Sequence, residues 1–177
     1  MEIGKLLTTV NKFIAPAMVI LAASLFRIIP HPPNFAPIAG LALFSGAKLH
    51  KKQAFILPLS AMFISDLFLG FHSTMIYVYA SFALIVIIGM QLKKHKLAHL
   101  LGASLTSSFL FYLLTNFGVW VSTNLYSKSF MGLINSYLMG LPFFRNTVLG
   151  DLFYTLFFFY GYEYLTIILK RLYLVKK

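Results

Sequence analysis

Lys51-Lys-Gln-Ala-Phe-Ile-Leu-Pro-Leu-Ser-Ala-Met-Phe-Ile-Ser-Asp-Leu-Phe-Leu-Gly-Phe71 is the stretch that decides the fold. Two lysines lead into an apolar run, Ala54 to Phe71, that holds no further basic residue and one acid, Asp66. A bilayer's hydrocarbon core takes roughly 20 helical residues to cross, with a range of about 17–25. The run fits that length, and the pattern recurs along the chain. Upstream lie Phe13 to Ile29 and the short Phe35 to Ala47. Downstream lie Met75 to Leu92, Leu97 to about Val121, and about Asn146 to Leu169. Ser122 to Phe144 is mixed in character and predicts an amphipathic surface helix around Phe130 to Met139.

Composition agrees with this reading. Of 177 residues, 59% are hydrophobic and 11% charged, with a mean hydropathy of +0.83. An average soluble domain is about 45–50% apolar and about 25% charged. A 20 kDa soluble fold has too much surface to hide this much hydrocarbon. The expectation is an all-α membrane protein with six transmembrane helices, forming a single integral membrane domain over residues 1–177. Cysteine is absent, which excludes disulfides, thiolate metal sites and a Cys nucleophile.

The net charge of +11 and the pI near 9.9 can signal nucleic acid, but the distribution assigns them elsewhere. With six spans and both termini cytoplasmic, the inside loops collect Lys5, Lys12, Lys48, Lys51, Lys52, Lys93, Lys94, Lys96, Lys170, Arg171, Lys176 and Lys177. That is twelve of the fifteen basic residues, leaving Arg27, Lys128 and Arg145 outside. Lysine and arginine favour the cytoplasmic side of membrane proteins, so the charge marks orientation and nucleic acid is not an expected partner. Lys5 and Lys12 before an apolar run ending near Ala22-Ala23-Ser24 also resemble a signal peptide. Removing that span would put every later lysine cluster on the wrong side.

The second run is too short. Thirteen residues make about 20 Å of helix against a ~30 Å core. Pro30, Pro32, Pro33 and Pro37 precede or enter it and forbid a continuous helix. An ordinary outer loop with a tilted helix is one reading. The other is a dipping segment that lines a pocket, since irregular backbone at membrane depth survives only against protein or a wet cavity.

Acids are scarce: four in all, three of them inside apolar runs, at Asp66, Asp151 and Glu163. An ionisable residue within a span is a functional candidate by default. Helical rise puts Asp66 about 7 Å and Asp151 about 9 Å below the outer end of their spans. Arg27, His31, Asn34, His72, Asn116, Trp120, Arg145 and Asn146 come from outer ends at or above that level. Asn116 and Trp120, four apart, share a helix face. Asp66, Asp151, Asn146, Asn116, Trp120, His31, Asn34 and Arg27 therefore form the candidate pocket for a small-molecule substrate. In the competing structural reading, Asp66 and Asp151 pair with Arg27 and Arg145 to hold the bundle together. Glu163, near the cytoplasmic end, reads as a partner for an inside lysine.

Other signals are weaker. His95 and His99 have a legal metal-ligand spacing but sit among lysines, and His31, His72 and Asp66 have no fixed spacing. No metal or other cofactor is expected. Ala36/Gly40, Ala42/Gly46 and Ala98/Gly102 permit close helix packing. The aromatic residues dense in Phe153 to Tyr164 suit membrane lipid and its interfaces, with a few free to stack on a ligand. The chain has no G-x-x-x-x-G-K-[ST] loop, G-x-S-x-G elbow or H-E-x-x-H pair, so an intramembrane enzyme on a lipid-linked substrate is the minority reading. A structural subunit is the third.

Six blocks carry a family resemblance. They are Arg27-Ile-Ile-Pro-His-Pro-Pro-Asn-Phe-Ala-Pro-Ile38, Ala42-Leu-Phe-Ser-Gly-Ala47, Pro58-Leu-Ser-Ala-Met-Phe-Ile-Ser-Asp-Leu-Phe-Leu-Gly-Phe-His72, Tyr77-Val-Tyr-Ala-Ser-Phe82, Thr115-Asn-Phe-Gly-Val-Trp120 and Gly140-Leu-Pro-Phe-Phe-Arg-Asn-Thr-Val-Leu-Gly-Asp151. They resemble an uncharacterised family of bacterial membrane proteins that is similar to the substrate-binding (S) components of energy-coupling-factor vitamin transporters. The resemblance implies an inner-membrane six-helix protein that captures a micronutrient from outside. It also implies that a separate energy-coupling transmembrane subunit and ATPases supply the drive. In such proteins the opening of the last helix, here Asn146 to Asp151, often contacts ligand. The paired alanines four apart that dock S components are not matched: Ala15 is followed at that spacing by Val19, and Ala22 by Phe26. Met1-Glu2 replaces the Met-His of the metal-binding subclass, so nickel or cobalt is not the expected substrate.

Overall fold

The computed structural model describes residues 15–92 and 96–175, which fold as six helices. These are α1 (Ala15–Ile28), α2 (Ile38–Lys48), α3 (Lys51–Leu69), α4 (Met75–Gln91), α5 (Leu97–Ser122) and α6 (Phe130–Val175). The all-α class and the number of helices match the sequence expectation. Lys5, Lys12, Lys93, Lys94, His95, Lys176 and Lys177 lie outside the described residues, and with them the His95–His99 pair.

Breaks between helices fall where backbone chemistry demands them. Pro37, with φ −73°, opens α2 and sets its start three residues later than the apolar run suggested. Leu49 and His50, both extended, make the short turn into α3, so α2 and α3 run antiparallel. Gly70, at φ +90°, ends α3 in a conformation that only glycine adopts without strain.

Two expectations need correction. The amphipathic segment around Phe130 to Met139 is not separate from the sixth apolar run. Both belong to α6, one helix of 46 residues that passes through Pro142. A proline inside a helix forfeits one hydrogen bond, but Pro142 is exposed, and the helix continues. The second correction concerns length. Among the described residues only α3 and α5 are long and apolar enough to cross a membrane, whereas α2 has 11 residues and α4 has 17.

The short helix is the centre of the bundle. α2 packs against α3, α4, α5 and α6, and every residue from Ile38 to Leu43 is buried. A helix apolar on all sides belongs inside a protein. Its length is therefore set by neighbours, not by bilayer thickness. Gly46 and Gly89 let α2 and α4 touch backbone to backbone: a methyl at either would collide with a main-chain carbonyl oxygen of the other helix. Gly40 is as close to α6: a methyl there would come 2.7 Å from the Tyr154 carbonyl carbon. Of the small-residue pairs, Gly40 and Gly46 thus serve internal packing, while Gly102 faces open space. Ser45 ties α2 to α3 through the Ala54 carbonyl (2.9 Å), and Ser24 ties α1 to α3 through that of Ala61 (3.0 Å). Ile38, Leu41, Leu43, Met62, Ile85, Leu100 and Phe159 fill the core.

Every helix except α2 also presents large apolar side chains outward. Leu25, Phe68, Ile76, Phe109, Phe130 and Phe157 are among the most exposed.

Candidate functional site

A partly open cavity of about 640 Å³ lies at the end of the bundle away from Lys51 and Lys52. All six helices and the proline-rich segment before α2 contribute to its wall. That segment reaches the cavity with Pro33, Asn34 and Ala36. It is held there by Phe35, whose ring packs 5.7 Å from Tyr154 and 6.1 Å from Phe153 on α6. Asn34 takes a left-handed turn at φ +65°, which asparagine tolerates better than most residues. The proline-rich segment, with Pro33 in the wall, thus lines a cavity.

Asp66 and Asp151 have different fates. Asp66, 1% exposed, is taken by the protein itself. Arg27 donates to its Oδ1 and Tyr79 donates to its Oδ2 at 2.7 Å. The same guanidinium donates to the Ser65 hydroxyl at 2.6 Å, which in turn hydrogen-bonds the carbonyls of Ala61 and Met62. The result is a closed network between α1, α3 and α4. Arg27 lines the cavity but spends its charge on Asp66, which does not line it.

Asp151, 2% exposed, stands in the wall of the cavity and accepts one hydrogen bond, 2.7 Å from the Ser108 hydroxyl. Its expected partner Arg145 is exposed and makes no ion pair with it. Arg27–Asp66 is the one ion pair among the described residues. Half of the structural pairing reading therefore holds, and half does not. Glu163 is exposed, and no ion pair joins it to a lysine among the described residues.

Of the eight predicted site residues, Arg27, His31, Asn34, Asn116 and Asp151 line the cavity, and Asp66, Trp120 and Asn146 do not. Trp120 turns to the loop, donating to the Ser127 carbonyl at 3.0 Å and packing on Phe117. On α6 the residue one turn before Asp151 is Thr147, and it is Thr147 that lines the cavity. Asn146 falls off that face. Residues i and i+4 share a helix face, so the 147/151 spacing was the available signal.

The sequence reading also missed Ser108, Tyr79 and an aromatic wall of Phe82, Phe111, Tyr112, Phe143 and Phe144. Tyr112 is fixed by donating to the Tyr137 carbonyl at 2.7 Å, with its ring 4.7 Å from that of Phe144. Asn116 donates to the Tyr112 carbonyl at 2.8 Å, and its amide fits against Gly140, where a side chain would strike it.

The rim histidines are occupied locally. His31 Nδ1 lies 2.7 Å from the Ile29 carbonyl, and His72 Nδ1 lies 2.8 Å from the Thr74 hydroxyl. Neither reaches a carboxylate, so His31, His72 and Asp66 do not assemble into a metal site. The His–carboxylate pair that acid/base chemistry would use is likewise not formed. No group of three or more His, Asp or Glu side chains suited to a metal occurs among the described residues.

The chain belongs to DUF6580, a family of unknown function whose profile matches residues 8–172. No curated protein and no solved structure matches it.

Proposed function

We propose that this DUF6580 member is a membrane-embedded protein that binds a small solute in the cavity at Asp151 and takes part in its transport. The observation that carries the reading is the cavity itself. Its size lies in the ~300–1,000 Å³ range of small-molecule sites, and its wall is mostly apolar with a few convergent polar groups. The outward-facing apolar side chains on five helices support a lipid setting. Lys51 and Lys52 at the opposite end, read with the lysine distribution of the sequence, support a cavity on the outer face with both termini cytoplasmic. Asn34, Asn116 and Thr147 then supply hydrogen bonds, and the aromatic wall supplies contact area.

The six sequence blocks resemble an uncharacterised membrane-protein family that is similar to transporter S components, and that similarity fits this reading. It extends it to a micronutrient-like solute and to separate energy-coupling and ATPase subunits that supply the drive.

Native mass spectrometry of the full chain released from detergent tests the proposal. The wild type should carry a small water-soluble adduct. Thr115→Trp should lose it, because Thr115 lines the cavity and the larger ring fills it. A folded wild type that carries only lipid, or an adduct that Thr115→Trp retains, would overturn it.

A further inference from the structure

The cavity contains one acidic group whose charge no basic side chain answers. Arg27 and Asp66 cancel each other. Asp151 is buried, accepts a bond only from the neutral Ser108 hydroxyl, and has no cation within ion-pair distance among the described residues. A carboxylate without a partner in a low-dielectric site is costly; a proton or a ligand cation relieves the cost, and the open cavity beside Asp151 has room for the cation. The same cavity is lined by Phe82, Phe111, Tyr112, Phe143 and Phe144. Aromatic faces carry negative quadrupole potential and attract ammonium groups. A bare metal ion fits poorly: one carboxylate is too few anionic ligands for a divalent ion. The aromatic volume would also stand idle around an ion of that size.

We infer that the solute is an organic cation, its ammonium group against the Asp151 carboxylate and its apolar body between the aromatic rings of α4, α5 and α6. The inference rests on the cavity being a solute site and names the class of solute.

Isothermal titration of the full chain in lipid nanodiscs, corrected for empty nanodiscs, tests it with three probes of one shape. They are phenethylammonium, the neutral 2-phenylethanol and the anionic 3-phenylpropionate. A charge-assisted bond in a buried site predicts that the ammonium binds about ten- to a hundredfold tighter than the alcohol. Asp151→Asn should abolish that preference. Ser108→Ala, which keeps the carboxylate, should preserve the preference. The wild-type comparison stands by itself if the Asp151 variant does not fold.

Equal binding of alcohol and ammonium, tighter binding of the carboxylate, or a preference that survives Asp151→Asn would overturn the inference. In each case binding that disappears in Thr115→Trp keeps the cavity as a solute site. Binding of none of the three also overturns it, and the native mass spectrum then decides the cavity reading separately.

Discussion

Removing the carboxylate of Asp66 would leave the Arg27 guanidinium, only 18% exposed, facing Ser65 and the cavity without an anion. Breaking a buried pair from one side costs about 3–5 kcal/mol, whereas replacing both partners by apolar groups is often neutral. Asp66→Asn should therefore lower the thermal unfolding midpoint in detergent substantially, and Arg27→Met with Asp66→Leu should restore most of it. A single variant as stable as the wild type would show that the pair is not formed. Asp66→Asn should also turn the cavity's charge preference toward anions, since it frees a cation in the wall. At this scale the sequence was legible where scarcity spoke. Few acids and few outer cations made an Arg27–Asp66 pair readable, because both sit near the same ends of their helices. What the sequence reading left out was rotation about the helix axis, for which the 147/151 spacing was a signal. That rotation separates Thr147 from Asn146, and it directs Arg145 to the surface instead of toward Asp151. Trp120 shares a face with Asn116 by spacing, yet the loop at Ser127 captures it, a tertiary contact that no local pattern encodes.

The helices themselves were read closely, except where tertiary packing replaced the bilayer as the determinant of length. α2 looked anomalous only against a membrane's thickness, and its burial among four helices removes the anomaly. Gly89→Val should wedge α2 from α4 and cost about 1–3 kcal/mol or more, seen as lost monomer in size-exclusion profiles and a lower unfolding midpoint. Gly102 is the contrasting case. It faces open space in the second turn of α5, so Gly102→Ala should raise stability by about 0.5–1 kcal/mol through helix propensity alone. Gly102 belongs to a small-residue pair with Ala98 and Gly89 to none, yet it is Gly89 that packs against a neighbouring helix, which only the packed structure shows. The merging of the amphipathic segment with the last apolar run was illegible for a related reason. Gly140 and Pro142 are helix breakers by propensity, but Gly140 is needed for the close contact with Asn116, and the exposed Pro142 is tolerated.

For the whole molecule, composition indicated a helical protein with more apolar surface than it can bury, and the outward-facing side chains of five helices are that surplus. The cavity could be anticipated as a place, at the end away from the lysines, but not as a volume, because volume depends on which faces meet. Its wall belongs to all six helices, so access to it and the orientation of the bundle are one question. The cysteine-free sequence allows a direct answer. In intact cells, Thr115→Cys should react with a membrane-impermeant maleimide, while Lys52→Cys should react only after the cells are opened. Thr115→Cys labelled only after opening, or not labelled at all in folded protein, would contradict a solute cavity that faces outward.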